Sequence, residues 1–250
     1  MRIALIADIH GNRLALDAVL AELEDEDIDH FVCLGDVAVG PQPGESIERV
    51  RALGCPVVMG NWDAYFLCGF PPAETELAQR LTEIGAWWAE QLTQEHRDYM
   101  ASFQSCVTVD LGPNGRLLAY HGSPRSYEDF IYATTTDQEL ATMLDGRRAP
   151  VIALGHTHFQ MLRRYDDALL VNPGSVGLPF ARPARVMSMS PWAEYCVLSV
   201  ENGRLSVDLR RTPFDVEALI RFIHESEMPH AQWWAGLWIG KPPIGLLSPS

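Results

Sequence analysis

No run of apolar residues in these 250 positions approaches the ~20 that a membrane-crossing helix needs; stretches such as Ile3–Ala7 and Val57–Gly60 are far shorter. A membrane partner is therefore not expected. Cysteine is scarce: Cys33, Cys55, Cys68, Cys106 and Cys196 are an odd number with no Cys-x-x-Cys spacing. That argues against a disulfide framework or a zinc-thiolate cluster and suits buried thiols in a reducing compartment. Positive charge is short as well. Nineteen Lys and Arg face 33 Asp and Glu, a formal net charge of −14, which is a poor match for the backbone of duplex nucleic acid. A small anionic substrate held by local positive charge remains compatible with it. Met1-Arg2-Ile3 runs straight into an apolar stretch with no signal-peptide pattern before it, so a cytoplasmic location is expected. No internal repeat, low-complexity tract or long linker interrupts the chain. With 47% hydrophobic and 21% charged residues, the composition is that of a globular protein.

Ile3–Ala7 reads as a buried strand, and Asn12 is placed to cap a helix in which Leu16, Val19, Leu20 and Leu23 recur on one face. Phe31–Leu34 reads as a second strand, Glu45–Leu53 as a helix and Val57–Met59 as a third strand. This alternation predicts an α/β core with right-handed crossovers. From Ala64 to Phe103 the pattern turns helical, with Leu77, Leu81, Ile84, Trp88 and Leu92 in register and a break at Pro71-Pro72. Strand signals follow at Cys106–Asp110, Arg116–His121, Val151–Leu154, Leu162–Tyr165, Ala168–Asn172, Tyr195–Val200 and Arg204–Arg211. Asp166-Asp167 and Asn202-Gly203 read as hairpin turns. Asp215–Glu227 reads as a helix, followed by an extension carrying Trp233, Trp234 and Trp238.

Polar residues stand where the apolar runs end. Asp8 and His10, Asp36, Asn61, His121, and His156 with His158 each follow a strand-like stretch, and most adjoin a glycine: Gly11, Gly35, Gly60, Gly122 or Gly155. Strand ends position functional groups rigidly, and glycine allows the backbone to crowd around a shared centre. The i, i+2 pairs Asp8/His10 and His156/His158 would each point to one side of an extended backbone. Two carboxylates, an amide oxygen and four imidazoles suit Mn²⁺, Fe or Zn²⁺ better than Ca²⁺ or Cu(I). Seven ligands exceed what one such ion takes, and suit two ions about 3.5–4 Å apart with one bridging carboxylate, for which Asp36 is the natural choice. Such a centre lowers the pKa of water, and its local positive charge attracts phosphate. His30, His96, His224 and His230 lack the strand-end context and read as surface or helix residues, and Cys33 as a core residue of its strand.

These motifs, Asp8-Ile9-His10, Gly35-Asp36, Gly60-Asn61, His121 and Gly155-His156-Thr157-His158, resemble in kind and order those of the calcineurin-like metallophosphoesterases. Asp8–Asn12, Gly35–Pro43, His121–Pro124 and Val171–Gly177 are most similar to a small bacterial and archaeal branch. The resemblance covers residues 1–211. It implies a four-layer α/β/β/α sandwich of two mixed sheets, with flanking helices, a small helical cap and the metals at one edge. Residues 1–212 would form the metallophosphoesterase domain, with 64–105 as the cap, and 213–250 a C-terminal helix and extension packed on it. It further implies one ion held by Asp8, His10, Asp36 and His158, and the other by Asp36, Asn61, His121 and His156. Asp36 and His121 are the residues on which catalysis is expected to turn.

One position departs from the family. The metal-binding asparagine is commonly followed by a histidine that protonates the leaving group; here Trp62 follows, then Asp63. Indole is no acid, and general acid catalysis is typically worth ~10²–10⁴-fold, so turnover biased toward good leaving groups is expected.

The expected function is a dinuclear metal-dependent phosphoesterase in which a hydroxide held between two divalent ions, Mn²⁺ before Fe or Zn²⁺, attacks phosphorus. Phosphodiesters are the preferred substrates and phosphomonoesters the next. The competing expectation is a non-catalytic interaction module on the same scaffold, as in the retromer subunit that resembles this family; the complete ligand set weighs against it. Asn172-Pro173-Gly174-Ser175 is expected to form a turn supporting the metal edge. Arg182 and Arg185 are candidates to reach a substrate phosphate. Trp62, Tyr65, Phe66 and Phe70 would either line a stacking pocket or pack the cap. The tail tryptophans suggest packing or a homodimer contact.

Overall fold

In a computed structural model of the chain, residues 1–181 and 188–238 are described. Arg182 and Arg185, and the tail beyond Trp238, lie outside them. The chain runs β1 (Arg2–Ile6), α1 (Arg13–Leu23), β2 (His30–Cys33), α2 (Pro43–Ala52), α3 (Asn61–Cys68), α4 (Glu76–Glu90), α5 (Gln94–Met100), β3 (Val107–Asp110) and β4 (Arg116–Ala119). It continues through α6 (Asp137–Met143), β5 (Val151–Ala153), β6 (Met161–Tyr165), β7 (Ala168–Asn172), β8 (Trp192–Glu201), β9 (Arg204–Pro213), α7 (Val216–Glu225) and α8 (Ala231–Gly236).

Two mixed sheets face each other. One has the order β2-β1-β8-β9 and the other β3-β4-β5-β7-β6. β1 and β2 are parallel, as are β4, β5 and β7; the remaining pairs are antiparallel. The period-2 alternation of β1 explains how one strand serves two layers. Ile3, Leu5 and Ala7 join Leu117, Ala119, Val151, Ala153 and Leu198 between the sheets, while Ala4 and Ile6 face the helical layer with Leu16, Val19, Ile47, Trp88 and Ile223. On the outer face of the second sheet, Leu118, Ile152 and Leu170 pack against Leu140 of α6. The result is the α/β/β/α sandwich.

Local chemistry matches the elements. Asn12 caps α1 by accepting the Ala15 N–H (3.1 Å). The β8–β9 hairpin closes on Asn202-Gly203, both with positive φ (50° and 76°), as a two-residue turn of this kind requires. The expected third strand is only partly realised: Val57 and Val58 make isolated bridges to Cys33 and Gln104. Sequence patterning overlooked α6, although Thr136 and Glu139 form a capping box at its start. Cys33 is buried in the core, as expected.

Glu194 on β8 is 3% exposed and pairs with Arg211 at 2.8 Å. Burial pushes its carboxyl up to about 7, although Arg211 and His158 draw it the other way. The folded chain thus holds this proton more tightly than the unfolded chain, where the group titrates at its ordinary 4.5. Its contribution to stability is complete below pH 4.5 and is lost as pH rises through 7. Glu194→Gln is expected to flatten that loss, gaining roughly 3 kcal/mol on the parent between pH 4.5 and 8, measurable by urea denaturation at both pH values. Equal changes in the two proteins would contradict the assignment.

Candidate metal centre

The parallel strands bring their C-terminal ends to one edge, and hydrogen bonds continue past them into the loops. Asp8 N–H donates to the Gly35 carbonyl (3.0 Å), His10 N–H to Asp36 (2.9 Å) and Gly11 N–H to Val37 (2.9 Å). In the second sheet Tyr120 N–H reaches Ala153 (3.0 Å) and Gly155 N–H reaches His121 (2.7 Å). These paired loops carry all the expected ligands except Asn61, which opens α3. The i, i+2 pairs Asp8/His10 and His156/His158 do not lie in the extended backbone expected of them. Asp8, His10, Asp36, His156 and His158 are not extended; each has a φ between 49° and 66°. Left-handed backbone is costly for residues other than glycine and concentrates where the surrounding structure enforces it. Two glycines permit the crowding: a Cβ on Gly40 would overlap the His10 carbonyl oxygen, and one on Gly60 would overlap Asp36.

The ligand atoms fall into two groups, Asp8/His10/His158 and Asp36/His121/His156, each with its atoms within 4.8 Å of one another. In the first, His10 Nε2 lies 3.0 Å from His158 Nε2, and Asp8 Oδ1 lies 3.4 Å from His158 Nε2. In the second, His121 Nε2 lies 3.2 Å from His156 Nδ1 and 3.1 Å from Asn61 Oδ1. Asp36 stands between them. Its Oδ1 accepts the Trp62 N–H (2.9 Å), while its Oδ2 is 3.5 Å from His121 Nε2 and 3.8 Å from His10 Nε2. Asp8 is built alike: Oδ2 accepts the His156 N–H (3.0 Å), and Oδ1 is buried with no hydrogen-bond partner among the described residues. The remaining histidines are elsewhere: His96 pairs with Glu48 and His230 with Glu83, while His30 and His224 are exposed.

These donors fit divalent ions. His121 Nδ1 is 2.7 Å from the Leu34 carbonyl and His158 Nδ1 is 2.7 Å from that of Leu178. A carbonyl only accepts, so each Nδ1 carries the proton and each Nε2 turns a lone pair inward. Burial and His158 press His10 well below the usual imidazole range, and burial with His121 presses His156 down to about 3. Burial works against a charge on His158, but Asp8, the Leu178 carbonyl and Asp36 together outweigh it and the net shift is upward. Burial likewise opposes the Asp8 charge, which the imidazoles, His158 first, more than restore. Asp36 is pushed well up by burial, then by Asp63 and Asp8. Among the described residues the salt-bridge partners of Asp8 and Asp36 are histidines alone, with no Lys or Arg. Buried carboxylates facing imidazole lone pairs are a donor set suited to divalent ions.

A family model for the calcineurin-like phosphoesterase superfamily domain matches residues 1–202. The chain belongs to that superfamily. Among solved structures it is similar to a metallophosphoesterase of Sphaerobacter thermophilus, with 26% identity and a TM-score of 0.73 over 92% of this chain and 96% of that one. It shares the fold of a hypothetical protein of Pyrococcus horikoshii OT3, with 22% identity and a TM-score of 0.78 over 94% and 97% of the two chains. An uncharacterized protein of Methanocaldococcus jannaschii is 25% identical over 263 residues, spanning 96% of this chain and 98% of its own.

In this calcineurin-like phosphoesterase several side chains behind the ligands went unassigned in the sequence. Asp63, buried, accepts N–H bonds from Asp36 (2.7 Å), Val37 (3.0 Å) and Gly60 (3.1 Å), tying the Asp36 loop to the start of α3. An acidic residue at the third position of a helix was the available signal. The Asn172–Ser175 turn supports the metal edge as expected. Asn172 Nδ2 donates to the Gly155 carbonyl (2.8 Å) and to Thr157 Oγ1 (3.1 Å), and Ser175 Oγ–H donates to the Asp8 carbonyl (2.7 Å). Two aromatic rings lie against ligands: Phe130 over His156 (centroids 4.2 Å) and Phe180 stacked on His158 (4.7 Å). Neither was legible, because contact across the fold leaves no local pattern. Of the four cap aromatics, Trp62 lines the cavity beside the ligands, while Phe66 and Tyr65 pack around Phe70. Trp234, expected as packing or a homodimer contact, also reaches that cavity.

Proposed function

We propose that the chain is a two-metal phosphoesterase acting on phosphodiesters, with phosphomonoesters as weaker substrates. The observation that carries this reading is the division of labour in Asp36. One oxygen is fixed by the Trp62 amide, and the other stands between two imidazole-bearing groups. Asp8, His10 and His158 would hold one ion, His121, His156 and Asn61 the other, with Asp36 shared. When bound, such a pair supplies Lewis acidity, a more acidic water and charge to offset the phosphate oxygens. The protein residues do the positioning. The Leu34 and Leu178 carbonyls fix two imidazoles, Asp63 holds the Asp36 loop, and Ser175 holds the Asp8 backbone. A diester carries less charge than a monoester and asks for less positive charge at the site, while the need for a general acid follows the basicity of the leaving group. Trp62, whose indole N–H is far too weak an acid to protonate a leaving group, favours diesters with good leaving groups. We further propose Mn²⁺ as the preferred ion and a cytoplasmic location; no helix among the described residues is long and apolar enough to cross a membrane.

The test is elemental analysis of the Mn²⁺-loaded protein together with hydrolysis of bis-p-nitrophenyl and mono-p-nitrophenyl phosphate. Metal uptake near two per chain, diester turnover ahead of monoester, and loss of both activities on chelation are expected. Metal uptake with no ester cleaved would favour the binding-module reading, and no uptake would remove the basis for either.

A further inference from the structure

The ligands form one wall of a cavity of about 280 Å³. Beyond His10, Asp36, Asn61, His156 and His158, its lining is apolar and aromatic: Trp62, Leu81, Ile84, Trp88, Leu178 and Trp234 enclose it, with Phe130 and Phe180 beside the imidazoles. No Lys, Arg or Glu is among the described lining residues. Trp88, 1% exposed, stands edge-on to Trp234 (5.1 Å), and its Nε1–H is buried with no acceptor among the described residues. Drug-sized ligands occupy ~300–1,000 Å³, so the space suits a single ring with a small substituent.

We propose that this cavity binds the organic group of the substrate, and that the group is an uncharged aryl-type ring attached directly to the phosphate. This rests on the phosphoesterase reading and adds the substrate class to it. The cavity opens on the ligands themselves, so a phosphate there places its substituent against Trp62 and α4. A sugar or a polyphosphate chain would bring hydroxyls or charges against a wall whose described residues beyond the candidate ligands are apolar or aromatic, and desolvation would count against both. A flat ring loses little on leaving water and gains contact with indole and phenyl faces.

Isothermal titration calorimetry of the Mn²⁺-loaded protein tests this with phenylphosphonate and methylphosphonate, whose P–C bonds cannot be hydrolysed, and with glucose 6-phosphate, phosphate release being followed in parallel for the last. Phenylphosphonate should bind at least tenfold more tightly than methylphosphonate, and glucose 6-phosphate no more tightly than methylphosphonate. Leu81→Glu, which sets a charge in the wall, should bring the phenyl-to-methyl ratio close to one; Leu81→Ala, a gentler change, should lower it by about threefold. Equal binding of the two phosphonates by the parent protein overturns the proposal, as does a ratio untouched by both Leu81 variants or tighter binding of the sugar phosphate. A protein that takes up no metal and binds no phosphonate would instead sink the phosphoesterase reading.

Discussion

Asp36→Asn is expected to abolish ester hydrolysis while leaving a folded protein that is, without metal, at least as stable as the parent. Both halves follow from the same geometry. The asparagine oxygen can still accept the Trp62 N–H that Asp36 Oδ1 now accepts, so the loop keeps its anchor. The amide nitrogen would replace Oδ2, which faces Nε2 of His121 at 3.5 Å and of His10 at 3.8 Å, and it can donate to imidazole lone pairs. The substitution also removes a carboxyl whose ionisation is opposed by burial and by Asp63 and Asp8. What it takes away is the shared anionic oxygen. Several kcal/mol of charge stabilisation at a two-metal site corresponds to roughly a thousandfold in rate, and metal content should fall below two per chain. His121→Ala should lose activity to a similar extent but also lose stability, because its Nδ1–H joins the second sheet to the Leu34 carbonyl of the first. His230→Ala, which removes an exposed pair with Glu83 and none of the candidate ligands, is the control expected to change neither. Turnover by Asp36→Asn within tenfold of the parent would contradict the shared-ligand assignment; a metal-free variant much less stable than the parent would contradict the electrostatic argument.

That these residues belong together was readable because each chemical type recurs in one setting: an apolar run, then Asp, Asn or His beside glycine. That setting is local, and so is the strand alternation that sorts β1 between two layers. The reason given for the i, i+2 pairs did not survive, since local spacing cannot reveal that Asp8 and His10 sit in left-handed backbone held by loop pairing and by the bare Cα of Gly40. The same limit hid Phe130 and Phe180, which meet His156 and His158 only after the loops fold over the edge. Trp234 is the sharpest case. Nothing in its surroundings in the chain separates it from Trp233, yet Trp234 joins Trp88 at the cavity while Trp233 lies under Arg80. Helix α6 belongs to a different class of omission, because its capping box was in plain view.

Trp62→His should raise the cleavage of alkyl phosphate esters by about 10²-fold, the lower end of what a general acid is worth, with little gain on p-nitrophenyl diesters. The Trp62 amide donates to Asp36 Oδ1 at 2.9 Å, so the side chain springs from backbone that already touches the shared carboxylate, and it lines the cavity where the substrate is proposed to sit. An alkoxide leaves poorly unless it is protonated as it departs, whereas nitrophenolate is a stable anion that gains little from an acid. An introduced imidazole would arrive without a partner to orient it, which is why the lower end of the range is expected. The same substitution removes an indole face from the cavity wall, so affinity for phenylphosphonate should fall as alkyl-ester turnover rises. Opposite movement of these two quantities is the signature that Trp62 exchanges proton donation for apolar binding. An alkyl-ester rate unchanged in a variant that still binds two ions and still cleaves bis-p-nitrophenyl phosphate would show that the missing histidine is not what limits this site.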